Sequence, residues 1–135
     1  METGTLTQNF IDALAQLEQT GNHEPMHEQY APDCELWTLT HKEPLKGKEE
    51  IAKFWQTYSD HFETVKSEFV RTIVDDNHAA LEWQAKSTLR QNGEEITYWG
   101  VTLLDFGDNG ITRFASYYDM KPFLEAAGIE QKISG

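Results

Sequence analysis

The sequence has little cysteine and few basic residues. Cys34 is the single cysteine among 135 residues, so it can form neither an internal disulfide nor a thiolate framework for a structural metal. Only 11 Lys and Arg stand against 23 Asp and Glu, which gives a formal net charge of −12. A protein this acidic repels a phosphate backbone, and we therefore expect no nucleic-acid partner.

Long apolar runs are also missing. No segment approaches the roughly 20 apolar residues that span a bilayer, so we expect no membrane partner. The start of the chain, METGTLTQNF, has neither the basic region nor the apolar run of a signal peptide. We therefore expect a cytoplasmic protein.

Apolar and aromatic residues are well represented. Hydrophobic residues make up 39% of the chain and aromatic residues 12%, which is enough to build a core and is atypical of a disordered segment. The length fits one domain. The four Trp, five Tyr and seven Phe suit either a dense core or a cavity lined by aromatic rings.

The first half of the chain carries helical patterns interrupted by a strand. Apolar side chains between Leu6 and Leu17 recur with a period near 3.6 and predict a helix that Gly21 would end. We expect a short second helix that runs through Tyr30. Residues 34–40, CELWTLT, then predict a strand.

The second half is mainly extended after one more helix. That helix follows a glycine and has the sequence KEEIAKFWQTYSDHF. Four segments rich in β-branched and aromatic residues, separated by Asn-, Asp- and Gly-rich turns, then predict strands: SEFVRTIVD, HAALEWQAKSTLR, EEITYWGVTLLDF and ITRFASYYDM. A short helix in MKPFLEAAG follows them. This order predicts an α+β fold, with helices packed on a curved antiparallel sheet.

Residues 23–27, HEPMH, match the H-E-x-x-H pattern of zinc-dependent proteases. The pattern binds zinc because two histidines one helical turn apart face the same metal. Pro25 has no N–H and is tolerated only in the first turn of a helix, so we expect the helix to begin near Pro25 and His23 to lie before it. We therefore predict no metal site here, and the sequence indicates no cofactor.

Three stretches together resemble a known fold. They are YAPDCELW, LKGKEEIAKFW and GVTLLDFGDNGITRFASYYDMKPFLEA. In this order they are similar to the nuclear transport factor 2-like superfamily, and most similar to its SnoaL-like polyketide cyclase branch, over about residues 8–128. The resemblance implies one domain over residues 1–135. It also implies a cone-shaped curved antiparallel sheet packed against three N-terminal helices, with one deep, mostly apolar pocket.

Alternation along the strands assigns side chains to the pocket face of that fold. The expected ligand-pocket residues are Leu36, Thr38, Phe54, Trp55, Tyr58, Trp83, Ser87, Tyr98, Thr102, Phe114, Ser116 and Tyr118. Small residues at Ala85 and Gly100 on the same face favour open space. By the same alternation, Trp37 points outward.

The acids that catalyse reactions in related proteins are missing from the matching positions. The resemblance places the general base of ketosteroid isomerases on Thr38 and their protonated acid near Thr102. It places the paired aspartates of limonene-type epoxide hydrolases on Trp83 and Ser116. His41, at the end of the first strand, is therefore the candidate catalytic residue.

Two other polar residues have ordinary structural interpretations. His61 follows the helix before the meander, where we expect it in a solvated position near the pocket mouth. Asp119 matches the Tyr-Tyr-Asp that closes the last strand in the family, but it precedes the last helix and is well placed as its N-cap.

Three functions fit this sequence. We favour a protein that binds a small, largely apolar molecule. The alternatives are an enzyme of the cyclase, isomerase or epoxide-hydrolase type that uses His41 or an unrecognised acid, and a dimerisation module whose cavity is filled by side chains. We also expect a homodimer formed through the outer face of the sheet, because apolar residues such as Trp99, Val101 and Leu103 alternate onto that face.

Overall fold

The computed structural model describes residues 2–39 and 42–128. The elements in chain order are α1 (Thr3–Thr20), α2 (Glu24–His27), β1 (Tyr30–Thr38), β2 (Leu45–Lys46), α3 (Gly47–His61), β3 (Phe62–Asp75), β4 (His78–Leu89), β5 (Glu95–Gly107), β6 (Gly110–Tyr118) and α4 (Lys121–Ala126). The strands form one six-stranded sheet in the order β2-β1-β6-β5-β4-β3. The predicted α+β fold class is confirmed. One pair departs from the antiparallel prediction, since β1 runs parallel to β6.

Helix α1 lays one face on the sheet. The predicted apolar stripe is buried, with Phe10 1% and Leu17 2% exposed. Gly21 ends the helix as predicted: its φ of 76° is left-handed, and its N–H donates to the carbonyl of Leu17 at 2.9 Å. None of the described helices is long and apolar enough to cross a membrane.

The predicted C-terminal end of the second helix is wrong. It stops at His27, and Tyr30 already belongs to β1. A tertiary contact explains this, because Tyr30 pairs with Ile111 on β6, whose N–H donates to the carbonyl of Gln29 at 2.8 Å. Gly110 permits this close approach, since a Cβ there would lie 2.7 Å from the same Gln29 carbonyl oxygen.

The meander of β3 to β6 alternates between two environments. On β4 every second residue from Ala79 to Leu89 is buried, and β5 repeats this alternation from Ile96 to Tyr98 and from Thr102 to Phe106. Strand β3 begins at Phe62, five residues before the predicted SEFVRTIVD segment, because the chain passes directly from α3 into the sheet. The inner face formed by the buried positions carries the core, and the outer face carries the exposed side chains.

Trp37 lies on the outer face as predicted, where neighbouring side chains cover part of its ring. Its indole Nε1 donates to Glu35 Oε2 at 3.3 Å, and the guanidinium of Arg113 lies 5.8 Å from the ring centroid. The inner face holds two apolar clusters. One includes Phe10 of α1, and the other includes Phe62 at the start of β3.

Candidate functional site

A cavity of about 510 Å³ lies between the helices and the inner face of the sheet. Both apolar clusters contribute to its wall: Phe10 and Trp55 come from the first cluster, and Phe62 and Tyr98 come from the second. This volume falls within the usual range for small-molecule sites, which is roughly 300–1,000 Å³. The helices and the sheet therefore leave room for a molecule larger than water.

Most of the residues predicted for the pocket meet at this cavity. Those on its wall are Thr38, Phe54, Trp55, Tyr58, Trp83, Tyr98, Thr102, Phe114, Ser116 and Tyr118. Leu36 and Ser87 do not line it, although both are buried on the predicted face. Alternation gives the side of a strand correctly in both cases. How far along the strand the cavity extends depends on the packing above it, which alternation does not encode.

The structure adds wall residues that the sequence analysis missed. They are Phe10, Leu14, Thr57, Phe62, Ser67, Phe69, Met120 and Phe123. Ser67 and Phe69 were within reach of sequence reasoning, since alternation along β3 places them on one face. Phe123 was not, because only the fold-back of α4 brings its ring to 4.6 Å from that of Tyr98, between centroids.

Edge-to-face contacts between aromatic rings build the wall. The Trp55 ring lies 5.0 Å from Phe54 and 5.3 Å from Tyr58, between centroids, and both contacts are T-shaped. On the sheet side, Trp83 and Tyr98 make a T-shaped contact at 5.5 Å. Such contacts hold the rings in definite orientations. The wall is therefore apolar, and contacts between its own rings set its shape.

Three hydroxyl residues lie side by side across the sheet, and we call them the hydroxyl row. Thr38 on β1 is the register partner of Ser116 on β6, which is the partner of Thr102 on β5. Thr102 Oγ1 accepts a hydrogen bond from Trp83 Nε1 at 2.9 Å and lies 3.5 Å from Ser116 Oγ. All three residues are buried and line the cavity. The hydroxyl row places polar groups on an otherwise apolar surface.

A carboxylate that the sequence analysis overlooked lies behind another part of the wall. Glu18 on α1 accepts hydrogen bonds from Tyr58 Oη at 2.7 Å and from Ser67 Oγ at 2.7 Å on its Oε2. Its Oε1 accepts from the Ser67 backbone N–H at 2.8 Å. We call these three residues the Glu18 network. The spacing of α1 does place Glu18 on the apolar face, four residues after Leu14, but it gives no sign of the partners that Glu18 meets there.

Burial controls the protonation of this network. It raises the pKa of Glu18 above its ordinary value of 4.5, although the hydrogen bonds from Ser67 and Tyr58 act in the opposite direction. Burial also raises the pKa of Tyr58 well above 10.0, and the negative charge of Glu18 adds to that shift. Tyr58 therefore stays protonated at neutral pH and donates a hydrogen bond to Glu18.

The histidine and aspartate residues singled out from the sequence occupy different kinds of position. His41 lies outside the described residues. His61 is exposed at the end of α3 and lines the cavity, with its ring 4.9 Å from that of Phe62 between centroids. Asp119 Oδ1 accepts a hydrogen bond from the Lys121 N–H at 3.0 Å. Asp119 therefore caps α4 from one residue further upstream than predicted, since Met120 occupies the N-cap position.

The two histidines of the H-E-x-x-H segment lie closer together than expected. The prediction that His23 precedes the helix is confirmed, but its φ of −85° and ψ of −20° continue the helical course. The ring centroids of His23 and His27 are therefore only 6.0 Å apart. Over residues 2–39 and 42–128, no group of three or more His, Cys, Asp or Glu side chains could hold a metal ion.

Comparisons with known proteins identify the same fold. The family model of the SnoaL-like domain matches residues 7–114. No curated protein sequence matches the chain significantly. The structure is similar to that of AclR, a proposed hydroxylase from Streptomyces galilaeus, with a TM-score of 0.81 and 13% identity over 98% of this chain and 91% of AclR.

Two further solved structures are similar. An NTF2-like protein from Anabaena variabilis has a TM-score of 0.79 and 16% identity, over 87% of this chain and 89% of that protein. A proposed SnoaL-like polyketide cyclase from Jannaschia has a TM-score of 0.76 and 14% identity, over 93% and 94% of the two chains. At these identities the structures establish the fold and no activity.

Proposed function

The chain belongs to the SnoaL-like domain family, and we propose that it binds one small, largely apolar molecule in the cavity. The observation that carries this proposal is the open space of about 510 Å³ on the inner face of the sheet. Its aromatic wall offers apolar contact, and the hydroxyl row offers hydrogen bonds to a polar group of the ligand. A few polar groups on an apolar wall are typical of small-molecule sites.

The open space argues against a module whose cavity is merely filled by side chains. The cavity remains open although Trp83, Tyr98 and Phe114, which line it, have large side chains. The small residues predicted to leave space do not supply it, because neither Ala85 nor Gly100 lines the cavity and a Cβ at Gly100 would clash with the Trp83 ring. A domain selected only for stability gains from filling such a space, since residual cavities are destabilising.

An enzyme of the cyclase, isomerase or epoxide-hydrolase type is the second candidate function. The Glu18 network favours it, because a buried carboxylate with a raised pKa is a common feature of catalytic sites. Against it, Glu18 reaches the cavity only through Tyr58 and Ser67. The hydroxyl row itself contains donors and acceptors but no base at neutral pH. We therefore place binding first.

Fluorescence titration with 2-acetylnaphthalene, an apolar ketone, tests the binding proposal. Trp55 and Trp83 line the cavity, so their emission should change on saturable binding. The variant Ser116→Leu, which adds bulk to the wall, should weaken binding about tenfold, or ~1.4 kcal/mol. The matched variant Tyr117→Leu alters the next residue, on the outer face, and should bind as the unmodified protein does. An absence of saturable binding, or equal effects of both variants, would contradict the proposal.

We also propose that the protein is a homodimer through the outer face of the sheet. Trp99, Leu103 and Tyr117 are exposed there, by 52%, 38% and 47%. Val101 lies between them, because it follows Trp99 on the same face and pairs with Tyr117 across β5 and β6. A contiguous apolar surface of this kind is typical of an interface. Light scattering at micromolar concentration should give twice the chain mass of 15.5 kDa, and a monomer would contradict the proposal.

A further inference from the structure

The hydrogen bonds of the Glu18 network decide which chemical groups one part of the cavity wall can accept. A hydroxyl has one proton to donate and two lone pairs. Tyr58 and Ser67 each direct that proton to Glu18 Oε2, at 2.7 Å in both cases. Both residues also line the cavity. Their oxygens can therefore offer only lone pairs to a bound molecule, so this part of the wall is a hydrogen-bond acceptor.

The charge of Glu18 has no cationic side chain to balance it. Its three hydrogen-bond donors are neutral, and the ion pairs within residues 2–39 and 42–128 join His78 to Asp105 and Lys121 to Glu125. The Tyr58 and Ser67 hydroxyl groups donate to this carboxylate, and their oxygen atoms therefore become more negative toward the cavity. A positive charge placed beside those hydroxyl oxygens would stabilise the carboxylate, since a buried charge favours a partner.

The rest of the wall favours the same sign of charge. No lysine or arginine within the described ranges lines the cavity. The faces of Trp55, Tyr58 and Tyr98 are electron-rich, and aromatic rings bind ammonium groups through their faces. An anionic group would meet these rings and Glu18, and the basic side chain that lines the cavity among the described residues is His61, which is exposed at the end of α3.

We propose that the cavity selects an apolar molecule that carries a protonated amine, with the N–H group donating to Tyr58 Oη or Ser67 Oγ in front of Glu18. This proposal rests on the binding function, because it specifies the ligand class of the same cavity. The hydroxyl row lies elsewhere: Ser67 is on β3, and β4 separates it from Thr102 on β5. A carbonyl or hydroxyl group on the far side of the ligand would meet that second polar region.

Three probes of nearly equal shape test the proposal by calorimetry at pH 7. They are protonated N,N-dimethyl-1-naphthylmethylamine, which is a cation, 1-isobutylnaphthalene, which is neutral, and 1-naphthaleneacetate, the carboxylate, which is an anion. We expect the cation to bind about tenfold tighter than the neutral probe, the scale of one hydrogen bond that involves a charged group, and the anion to bind most weakly. Equal binding of the cation and the neutral probe would overturn this proposal and leave the binding function standing. No binding of either would overturn the binding function.

Variants locate the source of the preference. Glu18→Gln should reduce the advantage of the cation several-fold while the neutral probe still binds, because the carboxylate is lost and the aromatic rings remain. Glu68→Gln is the matched control, because it removes the same charge from an exposed residue next to Ser67 and should keep the advantage. If Glu18→Gln proves unstable, Tyr58→Phe removes one acceptor oxygen with Glu18 in place and should reduce the preference. A preference that neither Glu18→Gln nor Tyr58→Phe reduces would overturn the proposal.

Discussion

Two successive residues of β5 lie in opposite environments. Thr102 is buried at the cavity, whereas Leu103 is 38% exposed on the outer face. The same contrast holds for Trp83, which is 8% exposed, and Trp99, which is 52% exposed. A polar residue is thus enclosed, and apolar residues face outward. The enclosed hydroxyl of Thr102 suits a binding cavity on the inner face, and the exposed apolar residues suit a protein interface on the outer face.

The largest expected effect comes from removing a core side chain from the inner face. Leu81 is fully buried on β4, so Leu81→Ala should lower the free energy of unfolding by about 3 kcal/mol. Leu103→Ala deletes the same atoms on the outer face and should cost less than about 1 kcal/mol in the monomer. Urea unfolding measures both. If both variants lost the same free energy of unfolding at low protein concentration, the proposed difference between the two faces would be wrong.

A smaller effect is expected from a single tyrosine hydroxyl. Tyr58→Phe removes a hydrogen bond to Glu18 and should lower the free energy of unfolding by about 2 kcal/mol, because hydrogen bonds to charged groups contribute more than neutral ones. Tyr117→Phe makes the same change on the outer face, where the ring is half exposed, and should be nearly neutral. Thermal unfolding of the two variants is the measurement. A neutral Tyr58→Phe would mean that the Glu18 network contributes little to stability.

The pH dependence of stability provides a separate test of Glu18. Because the pKa of Glu18 is raised in the folded state, the folded protein holds this proton more tightly than the unfolded chain. The contribution of Glu18 to stability is therefore complete below pH 4.5 and is lost as the pH rises through the raised pKa. The unmodified protein should lose stability relative to Glu18→Gln across that window. A constant difference between the two at all pH values would contradict the shift.

The smallest expected effect concerns the start of α4, the helix that brings Phe123 to the cavity. Asp119→Ala should lower the free energy of unfolding by about 1 kcal/mol, because the Lys121 N–H loses its acceptor. Asp119→Asn keeps an acceptor oxygen and should be nearly neutral. Melting temperatures separate the two variants. A large loss in Asp119→Asn would show that the charge, and not the cap, is what matters there.

Local patterns were enough to predict most of the fold. The apolar spacing of α1, its stop at Gly21 and the alternation of β4 and β5 follow from steric and hydrophobic rules that act over a few residues. The hydroxyl row was also predictable, because Thr38, Thr102 and Ser116 occupy inward positions on three strands. Tyr30 shows the limit of such patterns, since only its pairing with Ile111 makes it part of a strand.

The chemistry of the site depended on contacts between distant parts of the chain. Nothing near Glu18 in the sequence indicates that it will bond to Tyr58 and Ser67, which are 40 and 49 residues away. Phe123 reaches Tyr98 only after α4 folds back on the sheet. Periodicity along the sequence determines which side of an element each residue faces. Tertiary packing determines which residues each face contacts. It therefore sets the position of the cavity and of the buried Glu18 carboxylate behind its wall.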